Sequence, residues 1–86
     1  MLRSEGEIRD VVYGAIAATF QFPIADISAE TTASDVEGWD SVSTSRLFFS
    51  IEDQLGVELP ISELLDAPNV GALVAVVHQC VAANAG

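Results

Sequence analysis

Asp40-Ser41-Val42 lies inside the run Glu37-Gly38-Trp39-Asp40-Ser41-Val42-Ser43-Thr44-Ser45-Arg46-Leu47-Phe48-Phe49-Ser50-Ile51-Glu52-Asp53. It puts one hydroxyl at the point where an acidic, glycine-containing loop turns into an amphipathic helix. A helix start offers unpaired backbone N–H groups and the positive end of the macrodipole, so it suits a covalently held phosphate. Aspartate is a favoured N-cap, which predicts that this helix begins at Asp40 or Ser41.

Other reactive side chains support weaker chemistry. Asp35, Glu37 and Asp40 lack the calcium-loop spacing that ends in a bidentate glutamate, so they read as a solvated acidic loop and no metal site is expected. His78 with Ser41 and an aspartate invites a triad, but the chain has neither a nucleophile elbow nor an oxyanion loop. Cys80 has no cation or helix start nearby in sequence to lower its pKa, and reads as a small buried apolar residue. Being the single cysteine, it cannot form an intramolecular disulfide.

The elements that must position Ser41 follow from the hydrophobic spacing. Ser4 and Glu7 fit a capping box, and Ile8, Val11, Val12, Ala15, Ile16 and Phe20 recur at helical intervals, predicting a helix over 4–20. Gly14 either weakens that helix or admits another backbone. From Pro23 to Trp39 no period is sustained, which predicts a long loop pinned to the core by Ile24, Ile27 and Val36. Loops of this length in small domains are often functional. The second helix, 40–55, carries Leu47, Phe48, Ile51 and Leu55 on its inner stripe, with Gly56 as terminator. Phe48 and Phe49 adjoin, so only one can point inward; Phe48 is expected inside. Ser62 can cap a one-turn helix over 62–66. Asn69 can cap a last helix over 69–82, with Val70, Leu73, Val74, Val77 and Val81 buried. The expected fold is all-α: an up-and-down bundle of three main helices plus one short helix, as a single domain over 1–86.

With 86 residues, half of them hydrophobic, the chain has material for one thin core. The formal net charge is −10 and every basic residue is an arginine. Nucleic acid is excluded as a partner, because its phosphates would be repelled and no counterions released. Proteins with basic patches fit instead, through electrostatic steering. No apolar run is long enough to span a bilayer and no signal-peptide pattern opens the chain, so a cytoplasmic protein without membrane insertion is expected.

Gly38-Trp39-Asp40-Ser41-Val42, followed by Leu47, Ile51-Glu52, Leu55-Gly56-Val57 and Leu59-Pro60, resembles the acyl carrier protein family. The resemblance extends from about Ile8 to about Val81. It implies that Ser41 carries 4′-phosphopantetheine, delivered from coenzyme A by a phosphopantetheinyl transferase that supplies Mg²⁺, with Asp40 in support near the metal. It implies a non-catalytic, monomeric carrier that presents thioester-bound acyl groups to an acyl-loading enzyme, a ketosynthase or an acyltransferase with basic docking patches, in fatty acid, lipid or polyketide synthesis. Trp39, Val42, Arg46, Phe49, Glu52 and Asp53 become the partner-recognition residues, with Trp39 either touching enzymes or covering the loop-to-helix joint. Phe48, Ile51 and Leu73 become an apolar seam able to shelter an acyl tail.

Two departures qualify the resemblance. Fatty-acid carriers commonly have acids two and five positions after the modified serine, where this chain has Ser43 and Arg46. The charge reversal at Arg46 points to a specialised carrier with dedicated enzymes. An aminoacyl or peptidyl carrier is the nearest alternative, although Trp39-Asp40 departs from the Gly-Gly-His-Ser type of motif. An unmodified acidic helical adaptor is a further one.

Overall fold

Ser4 holds the first helix at its N-terminus, where its Oγ accepts the Glu7 N–H at 3.2 Å. The computed structural model describes residues 4–85, except for the side chains of Ser41, Asn84 and Ala85. Its elements are helices α1 (Glu5–Phe20), α2 (Ser41–Leu55), α3 (Ile61–Leu65) and α4 (Val70–Ala85), with short 3₁₀ turns at Ile24–Asp26 and Ala33–Asp35 in the long loop. The described residues form an all-helical bundle in which α1 packs on both α2 and α4, and α3 leans on α4.

The core is where the helical spacing puts it. Ile8, Val12, Ala15 and Ile16 of α1 meet Leu47, Phe48 and Ile51 of α2 and Val70, Leu73, Val74, Val77 and Val81 of α4. Phe48 is 2% exposed and Phe49 66% exposed, since adjacent helical residues cannot share a face. Helix α1 ends at Gln21, which adopts the left-handed conformation at φ 52°. The end at Phe20 is where the sequence puts it, ahead of Phe22-Pro23; only the left-handed conformation of Gln21, which no glycine signals, is new. Helix α2 ends on Gly56 at φ 69°, whose N–H reaches Glu52 O at 2.7 Å.

Four expectations need correction. Ile24 does not pin the loop: it is 54% exposed, and Ile27 and Val36 provide the anchorage. Ser62 does not cap α3; Pro60 stands at the cap position and the helix begins at Ile61. Ser62 is already inside the first turn, one residue past the start, so it cannot serve as the cap that precedes the helix. Helix α4 runs on to Ala85, past the expected end at 82, because no breaker interrupts its alanine-rich tail. Cys80 is half-buried and polar in use, its thiol donating to Glu58 O at 2.9 Å and tying α4 to the connector before α3.

The loop and α4 are joined by backbone. Val70 N–H donates to Thr31 O at 2.8 Å and Gly71 N–H to Ala29 O at 2.8 Å. Asn69 Oδ1 then accepts the Ala72 N–H at 2.9 Å. All three leading amides of α4, which no helical carbonyl can reach, therefore have acceptors. This close approach requires a bare α-carbon at residue 71: a Cβ there would lie 2.9 Å from Ala29 Cβ and 3.0 Å from Ala29 O.

The two helical glycines should therefore respond in opposite directions to alanine. Around Gly14 nothing lies within 4 Å of an added Cβ, so Gly14→Ala should stabilise by about 0.5–1 kcal/mol through helix propensity. Gly71→Ala has the same propensity gain but collides with backbone, at a cost of about 1–3 kcal/mol for overpacking, and should be net destabilising. Chemical denaturation of the two variants checks both signs.

Candidate functional site

The approach to Ser41 is a turn and a cap. Val36 to Trp39 form a turn closed by Trp39 N–H donating to Val36 O at 3.3 Å, with Gly38 at φ 87° in the position where such turns favour glycine. Trp39 then stacks on Phe20, ring centroids 5.1 Å apart and planes 15° from parallel. The half-buried indole thus fastens the loop to the end of α1, and covers the loop-to-helix joint.

Asp40 is the N-cap of α2. Its Oδ1 accepts the Ser43 N–H at 2.9 Å, and its backbone carbonyl accepts both the Thr44 N–H at 2.9 Å and the Thr44 hydroxyl at 2.6 Å. Ser41 is the first residue of the helix; its side chain lies outside the described residues. The residues on either side of it, Asp40 and Val42, are exposed, so the helix start faces solvent. A phosphodiester fits there, near the positive end of the helix and with room to leave the surface. The Asp40 carboxylate beside it works against tight clamping.

The neighbouring acids have structural duties. Asp35 Oδ2 accepts the Thr32 N–H at 3.0 Å and the Thr32 hydroxyl at 3.1 Å, holding the second 3₁₀ turn. Among the described residues no group of three metal-binding side chains converges.

Beside the cap a cleft of about 340 Å³ opens between α2, the loop, α3 and the start of α4. Trp39, Phe48, Leu64, Val70 and Leu73 supply its apolar wall, and Thr31, Asp40, Thr44 and Asn69 its polar one. Of the expected seam residues, Phe48 and Leu73 line this cleft, whereas Ile51 lies fully buried in the core.

The expected recognition residues separate into two groups. Val42 (70% exposed), Phe49, Arg46 and Asp53 face outward on α2. Glu52 is half-buried, and its Oε2 accepts the Leu59 N–H at 2.8 Å. This carboxylate thus also satisfies a part-buried amide in the connector to α3, while it lines the groove shared by Arg46, Phe49 and Asp53. Only the folded geometry could reveal this, since the two residues are separated by the helix end.

Residues 10–77 match the phosphopantetheine attachment site family. The chain is also 36% identical over 67 residues to a D-alanyl carrier protein from Bacillus pumilus, covering 73% of this chain and 86% of that protein. The chain belongs to the phosphopantetheine-binding carrier family. Its prosthetic group is 4′-phosphopantetheine, and its partners include a modifying transferase and acyl-handling enzymes. As in the expected carrier fold, the described residues are all-helical, and no helix among them is long and apolar enough to cross a membrane.

Two measurements probe the carrier site. Ser43's backbone N–H, assisted by its hydroxyl, holds the Asp40 carboxyl below its ordinary value of 3.8. A carboxyl whose folded-state pKa is lowered stabilises the fold above the ordinary value, and that contribution fades as pH falls through the lowered one. Wild type should therefore melt above Asp40→Asn at neutral pH, and the gap should close as pH falls from above 3.8 to below the lowered value. For Glu52, replacement by alanine leaves the Leu59 amide without its acceptor and should cost about 1–2 kcal/mol. Glu52→Gln, which keeps an acceptor, should lose clearly less in the same denaturation assay.

Proposed function

We propose that Ser41 is the attachment residue and that the protein is a non-catalytic cytoplasmic carrier of a short acyl group, an aminoacyl group in the first instance. The observation that carries the attachment is the position of Ser41 as first residue of α2, directly after the Asp40 cap and between two exposed neighbours. In the modification, Ser41 Oγ forms a bond to the phosphorus of coenzyme A that bears the pantetheine. The bond to adenosine 3′,5′-bisphosphate breaks, and the hydroxyl proton passes to a base on the transferase. When bound, the group supplies a long arm ending in a thiol that holds cargo as a thioester.

The chain's own residues then orient and insulate. Asp40 fixes the helix start without clamping the arm. Trp39, stacked on Phe20, keeps the loop folded back so that the helix end stays open. No group of this chain needs to take part in making or breaking the thioester, which leaves that chemistry to the partner enzymes.

The proposed cargo class differs from the fatty acid, lipid or polyketide group expected from the sequence. The support is the D-alanyl carrier relative, whose name refers to an amino acid. Arg46, standing where fatty-acid carriers commonly have an acid, supports the same departure. A second reading, an apolar acyl chain, is favoured by the apolar wall of the cleft beside Asp40.

Intact mass spectrometry tests both levels. Incubation with coenzyme A and a phosphopantetheinyl transferase should add one phosphopantetheine to wild type and none to Ser41→Ala, whose circular dichroism should remain that of the helical bundle. Attachment at any other residue would overturn the site. The modified protein, offered to adenylate-forming enzymes with ATP and either amino acids or fatty acids, should gain aminoacyl mass. Exclusive gain of long acyl chains would favour the second reading.

A further inference from the structure

Two polar side chains are buried among the described residues, Thr31 and Thr44, each 7% exposed. Burying a hydroxyl costs free energy unless it makes a hydrogen bond, and the cost is justified where that bond satisfies a group with no other partner. Thr31 Oγ1 accepts the Ser28 N–H at 2.9 Å and so closes the turn that offers Thr31 O to α4. The Thr44 hydroxyl has a different use. It donates at 2.6 Å to the Asp40 carbonyl, which already accepts the Thr44 N–H at 2.9 Å. Backbone accounting at the start of α2 closes without it.

For stability the hydroxyl is a poor choice. A helical threonine that bonds four residues back slightly destabilises and often bends its helix. Valine has nearly the same shape, carries no polar group to desolvate, and leaves the Asp40 carbonyl with its backbone donor. By packing alone, position 44 calls for an apolar side chain.

What the extra bond holds is a plane. The Asp40 carbonyl and the Ser41 nitrogen belong to one peptide unit, which is rigid and planar. Two donors from residue 44 fix its oxygen, and Asp40 Oδ1 adds the bond to the Ser43 N–H at 2.9 Å. The Ser41 α-carbon projects from that plane. As first residue of the helix, Ser41 has an N–H that no helical carbonyl can reach, so the peptide entering it has no other restraint of this kind.

Building on the carrier reading, we propose that Thr44 is a positioning residue for the transfer onto Ser41: its hydroxyl locks the Asp40–Ser41 peptide and presents the serine in one orientation. In that transfer Oγ bonds to phosphorus while the bond to adenosine 3′,5′-bisphosphate breaks, and the hydroxyl proton passes to a base on the transferase. Attacking and leaving oxygens must lie in line, so a small error in the approach costs rate out of proportion to its size. Thr44 is buried and offers the enzyme nothing to touch. Its effect falls on the chemical step and not on binding.

Stability and rate should therefore move in opposite directions. The test uses the unmodified full chain, coenzyme A, Mg²⁺ and a phosphopantetheinyl transferase, with initial rates read by intact mass. Thr44→Val should melt at or above the wild-type temperature, yet lose about three- to tenfold in kcat with KM little changed. Thr44→Ser keeps the hydroxyl and gives up a packed methyl; it should melt below wild type and retain most of the rate. The carbonyl-carbon NMR shift of Asp40 should move in Thr44→Val and hold in Thr44→Ser, which reports the bond without any enzyme. Modification of Thr44→Val at the wild-type kcat, or an equal loss in Thr44→Ser, would overturn the positioning role and leave the carrier reading standing. A wild-type chain that the transferase never modifies would overturn both.

Discussion

The long loop is held by the leading amides of α4. Helix geometry leaves those N–H groups without internal acceptors, and here two of them take carbonyls from Ala29 and Thr31. The same bonds satisfy the helix and fix the loop, at a separation that Gly71 alone makes possible. With Ile27 and Val36 buried at intervals and Trp39 stacked on Phe20, the chain reaches Asp40 in a defined place. The helix start at Ser41, the proposed attachment residue, depends on that sequence of anchors.

Around the site, polar groups are used for positioning more than for chemistry. Asp35 closes a turn, Asp40 caps a helix, Thr44 back-bonds to the cap residue and Glu52 holds the connector. Each is an acceptor or donor spent on local backbone, which leaves a carrier surface of defined shape with little reactive machinery. That economy suits the added arm that is the family's prosthetic group. It also explains why an acidic residue cannot be counted as a recognition contact until its hydrogen bonds are known.

The cleft and the outward stripe of α2 place different demands on one helix. Phe48 faces the cleft and core, while Phe49, the next residue, faces out. Two adjacent aromatic rings thus serve separate surfaces.

The sequence by itself determined the helical class, the inner stripes of α1, α2 and α4, and the position of Asp40 and Ser41 at a helix start. These are consequences of short-range periodicity and capping, which adjacent residues encode directly. Its proline and glycine signals also marked the loop and the end of α2. Tertiary structure alone decided the left-handed conformation of Gln21, the exposure of Ile24, the bond from the Leu59 N–H to Glu52 and the need for Gly71. Each of these depends on what the folded chain brings alongside, such as a carbonyl, an amide or open solvent, and no local pattern carries that information.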